Sequence, residues 1–121
     1  MKYVRLYADK NGHTHFENAV IKLDEADYRP PAPMMFVSHA YATDGLQFIR
    51  LPSGWVVDSM HPPKKQFLIC LKGQIEVTAS DGKTCTFGPG DSVLMEDVDG
   101  KGHRTRVKGA DECLAAVIPI D

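Results

Sequence analysis

The chain lacks any run approaching the roughly 20 apolar residues that a membrane-crossing helix requires. Its first residues, Met1-Lys2-Tyr3-Val4-Arg5, also lack the continuous apolar segment of a secretory leader. The expectation is a soluble cytoplasmic protein that does not enter membranes. Cysteine is scarce and unpatterned: Cys70, Cys85 and Cys113 are odd in number, widely spaced and form no Cys-x-x-Cys pair. That excludes a disulfide framework and a zinc knuckle as the organising device. Cys70 and Cys113 sit in the apolar runs Phe67-Leu68-Ile69-Cys70-Leu71 and Cys113-Leu114-Ala115-Ala116-Val117-Ile118, where a thiol behaves as a small buried apolar group. No charge of one sign dominates, since the net charge is −2. The overall balance therefore gives no support for nucleic acid or an anionic surface as partner. Internal repeats and low-complexity tracts are absent as well.

What the sequence has in quantity is short strand-like segments separated by turn residues. With 121 residues, of which 43% are apolar and 25% charged, it has enough material for one hydrophobic core and too little for two. Strands are expected at 3–7, 19–23, 35–38, 46–51, 55–57, 67–71, 75–79, 84–87, 92–95, 105–107 and 114–118. Between them fall Asn11-Gly12, Asp44-Gly45, Ser53-Gly54, Lys72-Gly73, Asp81-Gly82, Gly88-Pro89-Gly90 and Asp99-Gly100, pairs and triplets that close tight turns. Many short strands at this spacing imply an all-β sandwich or barrel. The clearest unit is Gln74-Ile75-Glu76-Val77-Thr78, which alternates polar and apolar into Asp81-Gly82 and returns through Lys83-Thr84-Cys85-Thr86-Phe87, predicting one β-hairpin with a wet outer face. Phe67 to Leu71 is apolar throughout, as in a strand covered on both sides, here by a barrel interior and a subunit contact. A short helical turn is expected in Leu23 to Tyr28 before Pro30-Pro31, and Pro30-Pro31-Ala32-Pro33 reads as a stiff extended connection.

The chemistry-bearing residues lie between Gly54 and Val107. The stretch contains Ser59-Met60-His61-Pro62-Pro63-Lys64-Lys65-Gln66, then six residues to Gly73, then Gly88-Pro89-Gly90-Asp91, then Gly102-His103. Strands flanking the Lys72-Gly73 turn run antiparallel, and inward positions on neighbouring strands converge inside a small barrel. Two imidazoles and an oxygen-bearing side chain meeting there would supply most of a metal's coordination shell. A neutral Gln oxygen is a weaker ligand than a carboxylate. Each residue also has a structural reading: a histidine hydrogen-bonded within the fold, or Gln66 bonded to a neighbouring strand. For Gly73, Gly90 and Asp91 turn geometry is sufficient explanation.

This pattern resembles the two sequence motifs of the cupin superfamily: Gly, five residues, His-x-His, three or four residues, Glu, six residues, Gly; and a second His after a Pro-Gly-Asp turn. His61 falls on the second His of the first motif, Gln66 on its Glu, Gly73 on its closing Gly and His103 on the His of the second motif. Ser59 occupies the place of the first His. The resemblance implies a double-stranded β-helix, the jelly-roll barrel, as one domain over 1–121, with 1–40 as peripheral N-terminal strands and 41–121 as the barrel core. It implies a homodimer holding a small-molecule ligand or substrate. It also implies a divalent transition metal (Fe, Mn, Ni, Cu or Zn) on His61, Gln66 and His103, serving a dioxygenase, isomerase or lyase type of reaction. The departures at Ser59 and Gln66 motivate an alternative, a metal-free binding or sensor module, and between the two lies a metal-free isomerase using His61 or His103 as general base.

Other residues invite weaker readings. His13-Thr14-His15 has the spacing that puts two imidazoles on one strand face, as a ligand pair or with His15 as a pocket lid; because it directly follows Asn11-Gly12 it also reads as the start of a peripheral strand. His39 has no partner in sequence. Lys64, Lys65, Lys101, Arg104 and Arg106 form basic clusters that suit either an anionic ligand or a solvated face, with Arg104 and Arg106 on the strand face opposite His103 and Thr105. Trp55, Met60, Phe48 and Phe67 are expected in the core or pocket wall.

Overall fold

A computed structural model describes residues 1–121 apart from Tyr28 and Pro30, and among the described residues it contains strands and no helix. The strands are β1 (Lys2–Ala8), β2 (Thr14–Val20), β3 (Asp24–Ala26), β4 (Met35–Val37), β5 (Gln47–Leu51), β6 (Val56–Met60), β7 (Gln66–Lys72), β8 (Ile75–Ala79), β9 (Thr84–Phe87), β10 (Ser92–Met95), β11 (His103–Val107) and β12 (Cys113–Pro119). The larger sheet has the order β2-β1-β10-β7-β12-β5, the smaller β6-β11-β8-β9, and β3 pairs with β4 alone. From β5 onward the chain passes back and forth between the two main sheets, which wraps them around a shared core as a jelly roll. Every ladder is antiparallel except that of β1 with β10.

The alternation visible in the sequence becomes the inside and outside of this barrel. Ile75, Val77 and Ala79 of β8 are buried while Glu76 and Thr78 are half-exposed, and the strand turns at Gly82, with φ of 91°, into β9. The core collects Leu68 and Cys70 from β7, Val93 and Met95 from β10, Val107 from β11 and Cys113, Ala115 and Val117 from β12. Burial pushes the Cys70, Cys85 and Cys113 thiols up, Cys113 to about 12, which favours the protonated form of each. Cys70 and Cys113 approach to 4.0 Å between sulfurs without a bond. On its other face β7 presents Phe67, which packs with Leu94 and Ile120 beneath the rings of Tyr3 and Tyr41. The outer cover of Phe67 thus comes from the chain itself, and Leu71 is 50% exposed.

Several expectations need correction. Strand β1 lies between β2 and β10 in the larger sheet and contributes the fully buried Leu6 to the core, while β2 forms an edge of that sheet. β2 runs over Thr14–Val20, beginning where His13-Thr14-His15 reads as a strand start and ending within the strand expected at 19–23, because its pairing with β1 runs from Thr14 opposite Ala8 to Val20 opposite Lys2. The helical turn expected in 23–28 is instead strand β3, in register with β4 from Asp24 opposite Val37 to Ala26 opposite Met35; Tyr28 lies outside the described residues. A ladder supplies these residues with several backbone bonds, whereas an isolated helical turn offers one. The expected extended connection at 30–33 is interrupted, since the Ala32 amide donates to the Arg29 carbonyl at 2.8 Å; Pro30 lies outside the described residues. Phe48 is 72% exposed because it points outward from the edge strand β5, while its neighbours Ile49 and Leu51 pack on the core. Trp55 is half-buried against that core, as expected.

The Lys72-Gly73 turn shows why glycine closes the first motif. Gly73 has φ of +77°, and a Cβ there would stand 2.3 Å from the Glu112 carbonyl oxygen. Replacing it combines backbone strain with a collision against main chain. Gly73→Ala is expected to lower stability by about 2–3 kcal/mol, read as a fall in the urea midpoint at unchanged slope.

Candidate functional site

The site is organised by the ladder between β6 and β11. His103 stands opposite Met60 and Thr105 opposite Val57, so Asp58 and Ser59 together face the single residue Arg104. This is a β-bulge, one extra residue on β6, and it reverses which face the following residues occupy. Met60 is half-buried opposite His103, whereas Ser59 and His61 are exposed. The His61 ring turns to the loop before β11, where Nε2 donates to the Gly100 carbonyl at 2.6 Å. Gly102 closes the same corner: a Cβ there would lie 2.4 Å from the Met60 carbonyl oxygen and 3.3 Å from His61 Nε2.

His103 follows the opposite course. With Thr105 and Val107 it lies on the inner face of β11, while Arg104 and Arg106 point outward to Asp58 and Glu76. That division is the one read from strand alternation. The His103 side chain is fully buried, and so is that of Asp97, whose Oδ2 accepts from Nδ1 at 2.5 Å. The pair fixes the ring's orientation and leaves Nε2 as its free face. Three buried polar atoms here have no hydrogen-bond partner among the described residues: His103 Nε2, Asp97 Oδ1 and Thr105 Oγ1. Buried polar groups are nearly always satisfied, so these mark a polar spot inside the barrel suited to a water or a polar ligand group.

Gln66 opens β7, opposite Met95 and Pro119, on the face shared with Leu68 and Cys70. It is half-buried and lines a cleft of about 300 Å³ with Gln47, Pro63, Lys64, Val117 and Pro119. The Lys64 ammonium stands at this cleft, 3.7 Å from Asp44 and 4.0 Å from Asp121. His61 and His103 are not among its lining residues. The structure therefore gives the three sequence candidates separate surroundings: Gln66 in a cleft, His61 on an exposed loop carbonyl and His103 buried on a carboxylate. Among the described residues, no three His, Cys, Asp or Glu side chains are grouped to hold a metal ion.

The remaining candidates also find places. His15 is held by Asp9 and Asp81 rather than paired with His13. His39 stacks at 4.1 Å on Tyr41. Lys65 reaches Glu96 at 3.9 Å. Asp97 is the partner of His103 that sequence reasoning missed; its signal is the acidic run Glu96-Asp97 in the loop that leads into His103.

Comparison with known proteins agrees with this architecture. No match is found among curated proteins. A protein of unknown function from Rhizobium leguminosarum is 25% identical, with a TM-score of 0.52, over 63% of this chain and 69% of its own. A cupin 2 conserved barrel domain protein from Salinispora arenicola has a TM-score of 0.51 at 16% identity, over 82% of this chain and 75% of its own. A cupin domain from Schizosaccharomyces pombe has the same score and identity, with 84% of each chain covered. Residues 47–119 match the family model described as a cupin domain, and with the strand order and motif turns above this makes the chain a member of the cupin family.

Proposed function

We propose that this cupin domain is a small-molecule-binding module that works without a resident metal. The observation that carries the reading is the separate commitment of the two motif histidines, His61 to the Gly100 carbonyl and His103 to the buried Asp97 carboxylate. The donors present do not fit the metal implied by the family: Ser59 replaces one imidazole, Gln66 offers only a neutral oxygen, and the bulge in β6 directs His61 outward. His103 Nε2 alone keeps the character of a ligand atom, and one donor does not make a coordination shell.

The cleft beside Gln66 supplies the binding reading. Its volume of about 300 Å³ suits a metabolite-sized molecule. Val117 and Pro119 give it apolar surface, the amides of Gln47 and Gln66 supply donors and acceptors, and Lys64 favours an acidic substituent. A second reading, proton transfer by His103, is favoured by the carboxylate-oriented ring and its unpartnered Nε2, the arrangement a general base needs. We also propose a homodimer formed on the outer face of the larger sheet, where Phe48 and Leu71 leave apolar surface in water.

Protein purified without affinity-tag nickel is expected to carry far less than one transition metal per chain by elemental analysis, with the same low content in His61→Ala/His103→Ala. Stoichiometric metal that the double variant loses would reverse the reading. In a thermal-shift screen of small organic acids, ligand stabilisation is expected to survive exhaustive chelation and to weaken in Gln66→Ala and Lys64→Ala. Light scattering is expected to give twice the chain mass for the parent and a shift toward the single-chain mass for Phe48→Arg.

A further inference from the structure

The two main sheets are not joined by a ladder along the seam between β2, an edge of the larger sheet, and the β8–β9 hairpin of the smaller one. One end of this seam is fastened by side chains. The Thr14 amide donates to Ser80 Oγ at 2.7 Å, the Ser80 amide donates back to Thr14 Oγ1 at 2.6 Å, and the buried Thr14 hydroxyl donates to the Gly102 carbonyl at 2.9 Å. Beside this exchange His15 lies between two carboxylates, Nδ1 at 2.9 Å from Asp81 Oδ2 and Nε2 at 2.8 Å from Asp9 Oδ2. Farther along, Asn18 and Val20 of β2 and Cys85 and Phe87 of β9 flank a cleft of about 530 Å³.

We propose that His15, clamped between Asp9 and Asp81, is a protonation-dependent latch that holds β2 against the β8–β9 hairpin and sets how readily the seam cleft opens. Ionised carboxylates only accept hydrogen bonds, so both contacts can be made together only by an imidazolium donating from both nitrogens. A neutral ring has one N–H, and its other nitrogen then turns a lone pair toward a carboxylate. Either tautomer breaks one side of the clamp, and loss of the Asp81 side leaves the Thr14–Ser80 exchange to hold the hairpin to β2.

The surroundings favour the charged form. Asp9 comes from the β1–β2 turn; Asp81 and Lys83 come from the β8–β9 turn, and the Lys83 amide donates to Asp81 Oδ1 at 2.8 Å. From β1, Tyr7 presents its ring with its centroid 5.7 Å from that of His15, beneath the Arg5 guanidinium. In the β1–β2 turn the His13 amide donates to Asp9 Oδ1, and on β2 Glu17 is taken by Arg5 at 3.1 Å. The hydrogen bond that His15 donates to Asp9, then that to Asp81, raises His15 above the ordinary histidine value. Its own bond to Asp9 lowers that carboxyl. Asp81 is pulled upward by burial, yet the Lys83 amide and His15 leave it below the usual range. The latch is therefore complete from below the ordinary carboxylate range up to the ordinary histidine value, and it is lost as pH rises through the elevated value of His15.

The test is a histidine NMR titration of the full chain combined with hydrogen exchange at the Thr14 and Ser80 amides, corrected for intrinsic rates. His15 is expected to titrate above a free imidazole. Protection of the two amides should fall across that transition, by about tenfold for each unit of elevation. His15→Gln should abolish the pH-dependent step, and Asp81→Asn should move the His15 midpoint down. Protection that stays constant while His15 titrates in the parent protein would overturn the proposal, as would an equal step in His15→Gln. The parent measurement decides the matter even if a variant fails to fold.

Discussion

Strand parity decides where each side chain ends up in this barrel, and the ladder between β6 and β11 is where one residue rewrites it. Along β11 the inward positions stay in phase, so His103, Thr105 and Val107 are buried together. On β6 the paired Asp58 and Ser59 opposite Arg104 shift the phase, and Met60 takes the inward place across from His103. The result is a half-emptied motif site. One imidazole stays inside with a carboxylate for company, and the other serves as a strut for the loop outside.

That shift also explains which parts of the site were legible in the sequence. Local rules found the β8–β9 hairpin, because Asp81-Gly82 and the alternation on both sides of it act over a few residues. The same alternation put Arg104 and Arg106 opposite His103. A bulge has no comparable local signature, so the outward course of His61 was hidden. Asp97 was hidden for a different reason: its partner is chosen by the path of the β10–β11 loop, and a loop's path is a tertiary property. The hold of Asp81 on His15 joins distant parts of the chain and follows only from the way the sheets meet. Among the strands, the extent of β2 was misjudged because it is fixed by pairing with β1, while Phe48 was misplaced because edge and outward position outweigh hydrophobicity.

The interior pairs an apolar body with a concentrated polar spot. Leu68, Val77, Val93 and Val107 form a core that excludes water, and in the same barrel Asp97 and His103 are fully buried with three polar atoms still unmatched. Such a pair is costly to desolvate and gives back directional hydrogen bonding rather than packing. Its value is specificity: a fixed ring, one free nitrogen and a hydroxyl on the same strand face. The cleft at Gln66 is more open and less ordered by hydrogen bonds. Barrel members of one family can in this way keep the architecture while the chemistry at the motif positions is replaced.

The parallel placement of β1 against β10 has a consequence for how the molecule comes together. Leu6 lies opposite Met95, so β1 must wait for a partner strand that is remote from it in the chain. Until then one hydrogen-bonding edge of β10 lacks its neighbour, and the larger sheet is incomplete. Topologies closed by such distant partners fold slowly, because the entropy of joining remote segments is spent before their contacts form. Pairing of β1 with β10 therefore ties the closure of the larger sheet to a long loop, and makes two segments far apart in the chain depend on each other for their backbone partners.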